Sequence, residues 1–396
     1  MSNRFPVLQS TRGVRFGVLI VAVLAVASLS ACKKKAETAA MTAAAEKIVI
    51  GEVGSMTGDQ ATFGQSTHNG IELAFKEITA AGGVKGKPLE LISMDDQGKP
   101  AEAASAVTKL ITLNGVTAIL GEVASSISLA MAPVAQNYKV PMISPSSTNP
   151  KVTQAGDYVF RVCFIDPFQG TVMAKFAADS LKAKKIAILR EITSDYSIGL
   201  ANYFVETFKK LGGAIVIDQS YGSQDVDFKS QLTAIRGTNP DAIFVPGYYT
   251  HVGLIAKQAR ELGIKVPLLG GDGWDSPKLK EIGGTAIDGS YFANHYTVED
   301  KSEVVQKFIA NYKAAYKAVP DGLAAMGYDA AKVLADAMNR SATLDKAAIR
   351  DSIARTQNHP GVTGKISIDA DRNTIKPAVV IRVDKGEFRY QTTINP

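Results

Sequence analysis

Two cysteines, four histidines and one tryptophan are few for 396 residues, and each scarcity removes a class of protein. Cys32 and Cys163 cannot build a disulfide framework or a four-cysteine zinc site. His68, His251, His295 and His359 fall in different elements, none paired at metal-ligand spacing, which argues against zinc. No G-x-S-x-G turn occurs, so a serine hydrolase of the α/β type lacks its nucleophile elbow. Gly82-Gly83-Val84-Lys85-Gly86-Lys87-Pro88 resembles a phosphate loop, but its spacing is one residue short and Pro88 replaces the magnesium-binding hydroxyl. Gly271-Asp272-Gly273 opens like a dinucleotide fingerprint and lacks the third glycine. The adjacent Asp95 and Asp96 point apart at a strand end and are expected to be solvated turn residues rather than an acid-base pair. No cofactor, metal or enzymatic activity is expected. With 44 Lys and Arg against 38 Asp and Glu, the charge implies no nucleic acid.

Long apolar runs are also scarce. An uncharged stretch, 16–29, follows Arg4, Arg12 and Arg15 and ends in Leu29-Ser30-Ala31-Cys32. That is the pattern of a secretory signal peptide, and the small residues before a cysteine resemble a bacterial lipobox. Cleavage ahead of Cys32, with lipid on its sulfur, would remove residues 1–31 and bring the net charge near +3. Residues 32–46 then read as a tether, because the segment has too little apolar surface to fold. No later run reaches the roughly 20 apolar residues of a spanning helix, so the remainder is expected to be soluble. With Cys32 assigned to lipid, Cys163 has no disulfide partner within the chain.

What the chain does have is alternation. A strand over 47–53 gives way to helical spacing at Ile71, Ala74, Phe75 and Ile78, stopped by Gly82-Gly83. Strand 89–94, helix 100–113, strand 116–120, helix 126–138, strand 140–144 and an extended run at 158–163 continue it, and Asp166-Pro167 marks a break. A second alternation has helices over 168–181, 196–211, 228–235 and 251–262, the last with Thr250 in cap position. Its strands cover 185–189, 214–217, 242–245, 266–269 and 289–292. Such βαβα order requires parallel sheets, and two similar units predict an α/β chain of two doubly wound lobes. Helices near 301–318, 322–340 and 344–355 and strands near 363–368 and 377–391 form no third core. Assigning them back gives lobe 1 as 47–165 plus 295–378 and lobe 2 as 166–294 plus 379–396. The chain then crosses three times, making a three-strand hinge.

The richest stretch is Val140-Pro141-Met142-Ile143-Ser144, a short apolar strand that breaks into Pro145-Ser146-Ser147-Thr148-Asn149-Pro150. The prolines fix φ on either side of the hydroxyls. Upstream, the strand at 118–120 likewise ends in Gly121-Glu122-Val123-Ala124-Ser125-Ser126. Taken singly, each serine reads as a helix cap. Taken together, two hydroxyl loops beyond parallel strand ends suit one carboxylate.

Gly51-Glu52-Val53-Gly54-Ser55-Met56-Thr57-Gly58, Asn69-Gly70, Gly82-Gly83-Val84-Lys85-Gly86, Asp95-Asp96 and the 143–150 loop, in that order, resemble the leucine/isoleucine/valine-binding protein family. These are extracytoplasmic substrate-binding proteins of branched-chain amino acid ABC transporters, and the resemblance spans about 47–391. It implies a type I periplasmic binding protein fold with an amino acid between the lobes. By that resemblance the first-lobe carboxylate and ammonium contacts fall on Ala124, Ser125, Ser147 and Thr148, with Ser146 beside them, and Phe63 lines the wall. Tyr196 and Tyr248 match second-lobe tyrosines, and Asp272 matches the ammonium-binding acid, which is glutamate in the best-known members. Trp274 stands where smaller residues are common, either as a pocket wall or as a packing residue. The family's first-lobe disulfide would join the positions of Gly98 and Ala124. Neither is cysteine here, so loop order is expected to come from packing.

The expected function is therefore capture of a small, branched-chain or other aliphatic amino acid and its delivery to ABC permease subunits. The protein would be a monomer held by lipid at Cys32 in the periplasm or on the outer face of the cell membrane. A binder of an amide or urea, or a sensor for a membrane receptor, is the alternative.

Overall fold

The computed structural model of the protein describes residues 46–396. The expected signal peptide, Cys32 and all of the expected tether except Glu46 lie outside the described residues. The first sheet has the order β2-β1-β3-β4-β5 and is parallel throughout. Its strands are β1 (Ile48–Gly54), β2 (Leu89–Asp95), β3 (Ala118–Leu120), β4 (Met142–Ser144) and β5 (Val159–Arg161). The second sheet runs β14-β13-β10-β9-β8-β6-β7. In it, β6 (Lys185–Glu191), β7 (Ala214–Tyr221), β8 (Ala242–Phe244), β9 (Leu268–Gly270) and β10 (Tyr291–Asn294) are parallel. The antiparallel β13 (Ala378–Asp384) and β14 (Glu387–Ile394) close its edge. A small hairpin of β11 (His359–Gly361) and β12 (Gly364–Ile366) stands apart.

Short strands such as β3, β4, β8 and β9 are buried at every residue, as expected where helices cover both faces of a parallel sheet. The first sheet's Ile50, Leu120, Ile143 and Phe160 pack with Met326 and Leu334 of the helix Gly322–Arg340. That helix lies on the helix Ala61–Ala80, and Gly70 is what allows it: a Cβ there would strike the carbonyl oxygen of Ala324. The late helices thus cover the first sheet while the last strands join the second. The chain passes between the two after β5, after β10 and before β13. Among the described residues no helix is long and apolar enough to cross a membrane.

Three sequence expectations fail locally. The break expected at Asp166-Pro167 does fall where the chain leaves the first sheet, but the helix expected from 168 starts two residues early as Asp166–Lys175, because proline in the first turn lacks only an N–H that would be unpaired anyway. The helix expected from 251 begins at Tyr249 with Tyr248 in cap position, so Thr250 lies inside it and donates its hydroxyl to the Asp59 carbonyl at 2.9 Å. Asp95 is exposed as expected, but Asp96 is fully buried.

Candidate ligand-binding site

In both sheets strand order reverses beside the first strand laid down: β1 lies between β2 and β3, and β6 between β7 and β8. Such switch points open a crevice beyond the carboxyl ends of the strands. A narrow cavity lies there, lined by loops that follow β3, β4, β6, β8 and β9. Of the expected residues, Phe63, Ser125, Ser146, Thr148, Tyr196, Tyr248 and Asp272 line it, joined by Val123, Gly273 and Leu323.

One wall is aromatic. Tyr196 and Tyr248 stack with centroids 5.2 Å apart, and Phe63 meets Tyr248 edge-on at 5.9 Å. The Tyr196 hydroxyl accepts from the Gly273 N–H at 3.1 Å, which ties this wall to the Asp272 loop. Opposite stand the hydroxyl loops. The helix Ser125–Asn137 has no capping side chain; its Ile127 N–H goes to the Ala124 carbonyl at 3.1 Å, so the Ser125 and Ser126 N–H groups, with their partial positive charge, are the ones open to an anion. Ser125 is not a cap: its Oγ accepts from Asn149 N at 3.2 Å and joins the two loops. The Thr148 hydroxyl is buried without a partner.

Asp272 is 5% exposed and surrounded by neutral donors. Gln169 Nε2 donates to Oδ1 at 2.8 Å, and the Ser146 hydroxyl reaches Oδ2 at 3.5 Å. His295 Nε2 lies 3.0 Å from Oδ2, and its ring stacks on Phe164 at 3.7 Å. Burial pushes the His295 imidazole down to about 4, against the pull of Asp272, so at neutral pH it donates as an uncharged ring. Near Thr148 a second carboxylate, Asp166, is fully buried with neither oxygen partnered. Burial first, and the charge of Asp272 beyond the opposing Thr148 hydroxyl, push it up to about 8. Among the described residues the one titratable partner within 4 Å of Asp272 is the uncharged His295 ring, so no cation offsets this carboxylate at close range.

Two expected contacts turn out to be supports. Ser147 is fully buried away from the cavity and donates to the carbonyls of Glu122 and Val123, each at 3.0 Å. Ala124 also stays off the cavity lining, its N–H given to Glu122 Oε2 at 2.5 Å. Trp274, expected as a possible wall, is buried in the second-lobe core, with Nε1 donating to the Val245 carbonyl at 3.0 Å.

Sequence reading missed Asp166, Gln169, His295, Arg161 and Glu122. Arg161, fully buried at the end of β5, donates to the carbonyls of Ser147 and, at 2.8 Å, Asn149, so it shapes the 146–150 loop from below. The loop's order also departs from the packing expected in place of the disulfide. A hydrogen-bonded chain spans the same two positions: Gly98 N donates to Asp96 Oδ1 at 2.8 Å, and Ser55 Oγ donates to that oxygen at 2.8 Å. Ser55 also meets Glu122 Oε1 at 3.2 Å, and Glu122 holds Ala124. A polar residue within two positions of the ends of β1, β2 and β3 was the available signal.

Burial, with the nearby Asp96 second, pushes Glu122 from its ordinary 4.5 up to about 8. Folding then takes up a proton, so its contribution to stability falls as pH rises from about 4.5 to about 8. Glu122→Gln is expected to flatten that slope, which denaturant midpoints measured across this pH interval will read. A slope identical to the parent's would show that Glu122 is ionised in the folded protein.

Residues 47–387 match the family model described as periplasmic binding protein. A Leu/Ile/Val-binding protein homolog of Brucella melitensis is 30% identical over 78% of this chain and 83% of its own length. Among solved structures, a leucine-binding protein of Thermotoga maritima is 43% identical, covering 88% of this chain and 99% of that one, with a TM-score of 0.84. A branched-chain amino acid transporter substrate-binding protein of Streptococcus pneumoniae, in complex with isoleucine, is 35% identical over 89% of this chain and 100% of that one, also at TM-score 0.84. The chain thus belongs to the leucine/isoleucine/valine-binding proteins, a branch of the periplasmic binding protein family.

Proposed function

We propose that the protein captures an aliphatic, branched-chain amino acid between its two lobes and hands it to ABC permease subunits, without turning it over. The observation that carries this reading is one small cavity with open helix N–H groups and a hydroxyl at one end, the Asp272 carboxylate without a close cation at the other and aromatic rings between. A zwitterion with an apolar side chain supplies each missing partner: a carboxylate for Ser125 and the helix start, an ammonium for Asp272 and Asp166, and a body for Phe63, Tyr196 and Tyr248. Ser146 steadies Asp272, while Ser147 and Ala124 hold the loop. Contacts to both lobes would favour the closed arrangement. The proposed lobes are 47–165 plus 295–378 and 166–294 plus 379–396, and the proposed anchor is a lipid on Cys32 of a monomer facing the periplasm or cell exterior.

The test is calorimetric titration of the refolded, ligand-stripped chain with the twenty amino acids and simple amides. Leucine, isoleucine or valine should bind tightest, and preference for an amide would overturn the assignment of the ammonium to Asp272. In the same assay Thr148→Val should weaken leucine binding by about 1 to 3 kcal/mol, because it deletes a buried hydroxyl that has only a weak approach to Asp166 within the protein. Unchanged affinity would remove that hydroxyl from the site.

A further inference from the structure

The two acids of the candidate site sit in unlike surroundings. Asp272 is given Gln169 Nε2 at 2.8 Å and the His295 ring at 3.0 Å. Asp166 is 0% exposed, and neither of its oxygens has a hydrogen-bond partner. The Thr148 hydroxyl makes only a weak approach to it, and Thr148 in turn lines the cavity. A carboxylate deprived of both water and donors is costly, whereas the uncharged acid loses far less. Asp166 therefore keeps its proton in the empty protein, in line with the rise to about 8 that burial imposes.

Few charges face it. From the turn after β9 comes Asp272, whose charge repels an anion at 166. From β5 comes Arg161, the weakest of the influences on it, with its guanidinium already given to the Ser147 and Asn149 carbonyls. The helix Asp195–Lys210 brings Gly199 against Oδ2 and, nearby, the Tyr196 phenol, which burial keeps protonated. Its Asp195 is bonded instead to the Ser126 hydroxyl at 3.1 Å. Cys163 is likewise held protonated by burial, and His295 uncharged. Lys376 acts on Asp272 and Cys163 but donates to Thr363 Oγ1 at 2.7 Å.

We propose that ligand capture expels a proton from Asp166: the ammonium, seated by Asp272, answers that acid's charge and draws out the second carboxylate. This rests on the amino-acid reading above. The O–H bond of Asp166 breaks with its electron pair left on the carboxylate, the proton passes by the Thr148 hydroxyl to water, and no bond of the ligand changes. Asp166 is the first residue of the helix Asp166–Lys175, so the helix dipole favours its anion once the repulsion is answered. Because the empty protein holds the proton and the complex does not, affinity rises with pH until Asp166 is ionised in both states. The ligand therefore leaves more readily in acid.

Leucine, or the amino acid that binds in its place, is titrated calorimetrically into the stripped chain in phosphate and in Tris. The two buffers differ in heat of ionisation, so the dependence of binding heat on buffer counts protons. At pH 7 about 0.4 to 0.9 proton should be released per ligand, and between pH 6 and 8 affinity should rise about five- to fiftyfold. In Asp166→Asn the release should vanish and the pH dependence flatten. Burial drives Glu122 and Lys376 to about 8 as well, so a release in that variant equal to the parent's would assign the proton to one of them and overturn the proposal. Where the asparagine variant fails to fold or bind, the parent suffices: carbon-13 spectra of its aspartate carboxyls should show Asp166 protonated at pH 7 in the empty chain and ionised in the complex. An Asp166 ionised in the empty chain at pH 6, or a complex formed with no proton released, overturns this proposal and leaves the transport ligand standing. A chain that binds none of the twenty amino acids overturns both.

Discussion

Asp272→Ala is expected to weaken leucine binding by about 2 to 4 kcal/mol, roughly 30- to 1000-fold, the cost of removing one partner of a buried charge pair. Gln169, Ser146 and His295 would lose their common acceptor, and none can replace it, because each is a neutral donor at 2.8 to 3.5 Å from the carboxylate. The ammonium would be left with Asp166, which burial holds toward its uncharged form. Calorimetry on the stripped variant measures the effect. Parental affinity would assign the ammonium wholly to Asp166, and a loss shared between single changes at 166 and 272 would show the two acids acting together.

Trp274→Ala is expected to lower stability by about 3 to 5 kcal/mol while leaving leucine affinity within about threefold of the parent. The indole is 0% exposed, packs against Phe292 at 6.0 Å, and ties the Asp272 loop to β8 through the Val245 carbonyl. Gly270 exists for it, since a Cβ there would fall inside the indole ring. Truncation leaves a cavity and an unpaired carbonyl together. Urea midpoints give the stability and titration in the cold gives the affinity; parental stability with lost binding would return Trp274 to the pocket wall.

The fold was largely legible because βαβ alternation is written in local apolar periodicity, and both sheets follow it from β1 through β10. The hydroxyl loops were legible for a related reason, since Ser146 and Thr148 sit between prolines where φ is fixed. What escaped were pairings across sequence distance. Gln169 and His295 meet Asp272 from 103 and 23 residues away, and nothing local marks either as its partner. Arg161 read as the end of an extended run, and its service to the loop depends on β5 lying beside β4. Asp166 was hidden by Pro167, which signals a helix start as readily as a break. Resemblance named Ala124 and Ser147 as contacts, whereas here their polar atoms brace Glu122 and its neighbours.

The chain of bonds from Gly98 through Asp96, Ser55 and Glu122 to Ala124 has a consequence for where and how this protein can mature. Its binding loop is fastened by protons, not by oxidation. The one thiol in the described residues, Cys163, is buried, and burial pushes its pKa up to about 12, so it offers neither a thiolate to an oxidant nor a target to a reductant. The body can therefore reach its native loop geometry without a thiol oxidase or isomerase, and keep it in anoxic or reducing surroundings where a cystine-braced relative would come loose.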